Sequence, residues 1–113
     1  MKAADFRQQQ AKQQTEKAFG LEVEELVTTL GLRYYHTHRS QHSVSGWPDY
    51  VILSPKGRGM LYRELKTESR TSEVSAEQQR WLDMLEANGC NVGVWRPRDL
   101  LSGRIVQELQ AIR

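Results

Sequence analysis

Three ionisable side chains, Asp49, Glu64 and Lys66, are spaced so that they meet if two short apolar runs pair as neighbouring strands. The first run is Tyr50-Val51-Ile52-Leu53, opened by Gly46-Trp47-Pro48-Asp49. The second is Met60-Leu61-Tyr62-Arg63-Glu64-Leu65-Lys66. Between them, Ser54 to Gly59 carries Pro55, Gly57 and Gly59, a turn composition, so the two runs read as a hairpin. Side chains two apart share a strand face. Glu64 and Lys66 therefore aim the same way, and Asp49 reaches the same spot from the adjacent strand. Two carboxylates beside a lysine suit a hard divalent cation, with the amine placed to orient or deprotonate a water.

Flanking segments supply the elements that position this trio. Thr15 is an N-cap, and Phe19, Val23, Leu26, Val27 and Leu30 recur at helical spacing as far as Gly31. By angle Glu16 falls near the middle of that apolar stripe, with Gly20 beside it. It is either a cation ligand or a first-turn acid favoured by the helix dipole, and spacing alone does not separate the two. Leu32 to His38 reads as a first strand, followed by a polar loop to Gly46. His36 and His38 share a strand face. With His42 they suggest zinc, but no cysteine helps and the carboxylates offer a competing centre. One histidine is expected to border the cleft and the others to be solvated or hydrogen-bonded. Pro48 cannot donate to a ladder and precedes the strand proper. The apolar run Tyr50 to Leu53 suits a central strand covered on both faces, and Leu61 and Leu65 face the core opposite Glu64.

Thr67 to Val74 is a polar loop. Ser75-Ala76-Glu77-Gln78 is a capping box opening a helix with Gln78, Trp81, Leu82 and Leu85 along one face, ending at Asn88-Gly89. Gln78 either completes the box or looks back at the cleft. Asn91 to Trp95 is a fourth strand, and Leu100 to Ile112 a last amphipathic helix with Ile105, Val106, Leu109 and Ile112 inward. The helix between strands three and four allows a parallel crossover. The expected fold is α/β, a mixed central sheet flanked by helices on both faces.

At 113 residues the chain holds one domain, 15–113, behind a polar arm or frayed helix, 1–14. A formal charge of +2 is compatible with nucleic acid. Cys90 is the only cysteine, which excludes an intramolecular disulfide and a thiolate metal cluster; it reads as a small buried hydrophobe. No secretory leader and no run of about 18 apolar residues is visible, so a cytoplasmic setting without membrane contact is expected. Nothing matches a Gly-rich phosphate loop or zinc-finger spacing. Arg39 and Arg70, in loops beside the motifs, are the leading phosphate contacts. Lys56, Arg58, Arg63, Arg96 and Arg98 are weaker ones.

Gly46-Trp47-Pro48-Asp49 with Glu64-Leu65-Lys66 resembles the motif of the PD-(D/E)xK nuclease superfamily. More narrowly the chain resembles the VRR-NUC domain. That likeness runs from Thr15-Glu16-Lys17-Ala18-Phe19 through Tyr35-His36-Thr37-His38 and both motifs to Ser75–Leu82 and Val94-Trp95-Arg96-Pro97. It implies a restriction-endonuclease-like core. It also implies a metal site of Glu16, Asp49, Glu64 and the Leu65 carbonyl holding Mg2+ or Mn2+, with Lys66 as catalytic lysine and Gln78 near the site. His36, His38, Arg39 and Arg70 would face DNA. The compact form resembles stand-alone phage and bacterial members, implying a homodimer acting on branched DNA such as four-way (Holliday) junctions. A flap-type or nonspecific nuclease and a non-catalytic nucleic-acid-binding module are the competing expectations. Trp47, Tyr50 and Gly20 depart from the family pattern, which bears on substrate fit.

Overall fold

A computed structural model describes residues 14–38 and 44–113. Most of the polar arm, and Arg39 and His42 in the polar loop, lie outside the described residues. The first helix, α1 (Glu16–Thr29), starts at Thr15, whose side chain accepts from the Ala18 amide 3.1 Å away. Strands β1 (Arg33–His36), β2 (Tyr50–Leu53) and β3 (Met60–Leu65) follow. Then come α2 (Ala76–Ala87), β4 (Val92–Trp95), α3 (Pro97–Leu101) and α4 (Arg104–Ala111).

The four strands lie in sequence order. β1 and β3 flank β2 antiparallel, and β4 joins β3 in parallel. Antiparallel neighbours need only the 54–59 turn, whereas the parallel step needs the long connection that α2 supplies. Register sets the two faces of the sheet. Tyr50, Ile52, Leu61 and Leu65 are buried with Phe19, Val23 and Val27 of α1 and with Trp95, Ile105, Leu109 and Ile112. Each such side chain is worth about 1.5–3 kcal/mol when fully buried. On the opposite face Gln78 of α2 reaches Glu64, and Trp81 of α2 packs edge-on against Trp47, centroids 5.2 Å apart, which in turn meets Tyr62. A mixed sheet between helices is thus what the hydrophobic periods specify.

Local features depart from expectation. β1 is shorter than Leu32 to His38, and all four of its residues are exposed, because it is an edge strand. The continuous last helix is two pieces: Gly103 adopts φ +82°, a left-handed conformation that ends the helical path before α4 begins. Ile105, Leu109 and Ile112 are inward as the spacing predicts, but Val106 is only half-buried. Cys90 is half-buried rather than buried.

Arg63 stands on the core face of β3 at 3% exposure, so it cannot reach a phosphate. Its guanidinium donates to Glu108 Oε1 at 2.8 and 3.1 Å, to the carbonyls of Tyr62 and Asn91, and to Asn91 Oδ1. Glu108 also takes the Trp95 indole N–H and the Arg104 Nε–H. This network ties α4 to β3 and β4, and its donors are saturated, as a buried guanidinium requires.

Candidate active site

Tyr50 pairs with Arg63, so the next pair outward along β2 and β3 is Asp49 with Glu64. Asp49 does not hang free: its Oδ2 accepts the Leu65 backbone N–H at 2.8 Å. Pro48, fully buried, cannot donate to the ladder, and its carbonyl instead accepts from the Thr37 hydroxyl at 2.7 Å. The approach to Asp49 is pinned from the other side as well. Gly46 sits at φ +96°, and a Cβ there would meet the Glu77 backbone at 2.8 Å. The Trp81 indole N–H donates to the Ser45 carbonyl, and the Ser45 hydroxyl to Glu77. A bare glycine and an indole therefore clamp the Gly-Trp-Pro-Asp segment onto α2.

Glu64 is 1% exposed. Gln78 completes the capping box, accepting from the Ser75 amide at 2.9 Å, and its Nε2 donates to Glu64 Oε1 at 3.0 Å. Both readings of Gln78 hold at once: one amide closes the helix start and faces the cleft. Lys66, 8% exposed, places Nζ 3.8 Å from the same Glu64 oxygen. Glu64 Oε2 is buried with no hydrogen-bond partner. Burial above all, then the neighbouring Asp49 carboxylate, hold the Glu64 carboxyl well above the usual carboxylate range. Lys66 opposes that shift and Glu16 adds to it.

Glu16 lies one turn before the buried Phe19 and Gly20 of that stripe, but is itself exposed on the first turn of α1. It lines a cavity of about 480 Å³ with Lys17, Gly20, Glu24, His36, Asp49, Tyr50 and Leu65. Among the described residues no three His, Cys, Asp or Glu side chains gather closely enough to form a metal cluster. Asp49 and Glu64 come together, and Glu16 reaches them by its field rather than by contact. A second cavity of about 520 Å³ lies on the α2 side, between His38, Trp47, Asp49, Lys66 and Gln78. Asp49 lines both hollows. Arg70 is exposed in the 66–75 loop and lines neither. Of the weaker cations, Arg96 is committed to the Thr67 and Ser72 carbonyls, Arg98 to Glu68, and Arg58 to the Arg113 carbonyl.

The residues nevertheless suit a hard divalent cation. Two carboxylates and a strand carbonyl are hard oxygen donors, and a buried carboxylate oxygen without a donor is the vacancy in bonding that such an ion satisfies. Glu24 was not legible as a cavity residue. It accepts from the hydroxyls of Tyr34 and Tyr50, partners ten and 26 residues away in sequence, and no local motif signals such a contact.

The model of the VRR-NUC domain matches residues 5–99 of the chain. Among solved structures, one described as a VRR_NUC domain superposes with a TM-score of 0.58 at 24% identity, covering 70% of this chain and 81% of the other. A VRR_NUC domain protein gives 0.58 at 20% identity, covering 87% and 90%. A Holliday junction resolvase from the archaeal hyperthermophile Archaeoglobus fulgidus gives 0.47 at 23% identity over 71% and 67%, too loose a superposition to bear on substrate. Among curated proteins none matches. With most of its length matched by one family model and the same fold in two members, this chain belongs to the VRR-NUC domain family of PD-(D/E)xK-like nucleases.

Proposed function

We propose that the protein is a metal-dependent, structure-selective endonuclease that hydrolyses phosphodiester bonds in branched DNA such as four-way junctions. One observation carries the reading: Glu64, buried with a partnerless oxygen, faces Asp49 across the hairpin with Lys66 on the same side. Asp49, Glu64 and the Leu65 carbonyl would hold Mg2+ or Mn2+, with Glu16 contributing through water. When bound, the ion supplies Lewis acidity and neutralises phosphate charge. Gln78 holds Glu64 Oε1, which leaves Oε2 to face the site. The Leu65 amide holds Asp49 Oδ2 in the same way. Lys66, nearly dry, is placed to orient or deprotonate the attacking water and to offset charge growing on the phosphate. Arg70 and Arg39 would steady the flanking phosphates. A two-fold homodimer would offer two such sites to opposed strands.

The test is digestion of a panel of four-way junctions, flaps, splayed arms and linear duplex with Mg2+, Mn2+ or chelator. The expected result is metal-dependent cutting, greatest on junctions and abolished in Lys66→Ala. Cutting that prefers flaps changes the substrate. Cutting by Lys66→Ala at the wild-type rate removes the lysine from the reaction. Binding without cutting under any metal makes the protein a non-catalytic module.

A further inference from the structure

Two rings of an aromatic ladder, His36 and Tyr50, line the first cavity. His36 lies flat on Tyr50, with centroids 4.5 Å apart and planes 7° from parallel. Tyr34 meets Tyr50 edge-on at 5.9 Å, and His38 follows His36 at 5.9 Å, tilted by 38°. One acid holds the two tyrosines. Glu24 accepts from the hydroxyls of Tyr34 and Tyr50, and its carboxylate lies 3.8 Å from His36 Nδ1. Gly20 leaves the room this needs, since a Cβ there would sit 3.0 Å from the Tyr50 hydroxyl. Burial first, then the bond to Glu24, pushes the Tyr50 phenol up, so it stays a donor and the clasp persists. Tyr50 is buried, yet 47% of the His36 side chain is exposed. A ring with one face covered by Tyr50 and half its surface open turns its other side to whatever enters the cavity.

His36 pairs with Tyr50 across the sheet, and Asp49 is the next residue along β2's approach. His36 and Asp49 line the same cavity, so the ring lies near that carboxylate. The cavity wall favours a base over a phosphate. Among the described residues it carries Glu16, Glu24 and Asp49 against Lys17 as the one lysine or arginine, a field that repels phosphate oxygens. A neutral base with a π face meets no such penalty. In continuous duplex both faces of each base are covered by its neighbours, so only an unpaired or displaced base has a face to offer.

We propose that His36, seated on Tyr50, is a stacking platform for an unpaired nucleobase beside the phosphate at Asp49. DNA with unpaired nucleotides next to the scissile bond is therefore taken over continuous duplex. This rests on the nuclease reading for the position of that phosphate, but the interaction is read by binding alone.

The experiment uses Lys66→Ala protein in chelator with a splayed-arm duplex carrying 2-aminopurine at the first unpaired position. A blunt duplex with the same base paired is the comparison. Quenching of the unpaired probe and roughly tenfold tighter binding of the splayed DNA are expected. His36→Ala brings that affinity ratio toward one and removes the quenching, whereas His36→Phe keeps both. A ratio that His36→Ala does not move overturns the proposal, and so does a His36→Phe variant as poor as His36→Ala. Thermal melting checks the fold of each variant. Should His36→Ala unfold, His36→Gln against His36→Phe decides between a polar and a stacking role. Wild-type protein that cuts nothing with Mg2+ while ratio and quenching persist sinks the nuclease reading and leaves the platform standing. Cutting with no preference in binding does the reverse, and no DNA binding by any form sinks both.

Discussion

Glu64 has one oxygen held by Gln78 and the other without a donor, in a site that water scarcely reaches. Stability and chemistry pull in opposite directions at such a residue. Replacing it by glutamine removes the cost of burying a carboxyl in a site that disfavours its charge, and supplies an amide that can donate to Asp49. Glu64→Gln should therefore raise the stability of the metal-free protein by about 1 kcal/mol, read as a higher melting temperature in chelator. Cutting should fall by about a hundredfold or more in the same variant. A variant less stable than wild type would mean that the carboxylate is better satisfied than its contacts indicate. Gly46 works the other way. Gly46→Ala forces a Cβ onto the Glu77 backbone at a positive φ and should cost about 1–3 kcal/mol, with loss of activity because Asp49 follows in the same segment. A urea melt and a cleavage assay on one preparation check both.

Between elements, the bracing lies on the face of β3 that the chemistry does not use. Arg63→Ala should destabilise the protein by about 1.5–3 kcal/mol, since half-buried Glu108 loses a charged partner and keeps only Trp95 and Arg104. Burial pushes the Glu108 carboxyl up, but hydrogen bonds from Trp95, Arg63 and Arg104 outweigh it and hold the group below its ordinary value. A depressed carboxyl contributes stability that is present above its unfolded value, about 4.5, and fades as pH falls through the folded one. Denaturant melts between pH 6 and 3 should show that decline, and Glu108→Gln should flatten it. Much of this layer is legible in the chain: the capping box, the turn glycines and the period-two strands are local signals. The split between α3 and α4 is not, because Ile105, Leu109 and Ile112 continue an apolar spacing that hides the break at Gly103. The Arg63–Glu108 pair is likewise invisible, since its partners are 45 residues apart.

At the scale of the whole molecule, the family model ends at residue 99, while α4 lies beyond it. Yet α4 supplies Ile105 and Leu109, both at 0% exposure, to the single core. Losing them forfeits about 1.5–3 kcal/mol each, a large part of the roughly 5–15 kcal/mol that holds a domain together. A chain ending at Gly103 should show no cooperative urea transition; a sharp one would make α4 an accessory. Sedimentation with and without four-way junction DNA should report a dimer, and a monomer at micromolar concentration in both would leave one site per complex.

β3 presents Glu64 on one side and Arg63 on the other, and only pairing opposite Tyr50 sends each to its proper layer. A slip of one position would invert them, driving the guanidinium toward the cleft and the carboxylate into the oily interior. The same slip would thus part Glu64 from Asp49 and unseat the packed interior, so the carboxylate pair and the fold are assembled by one register.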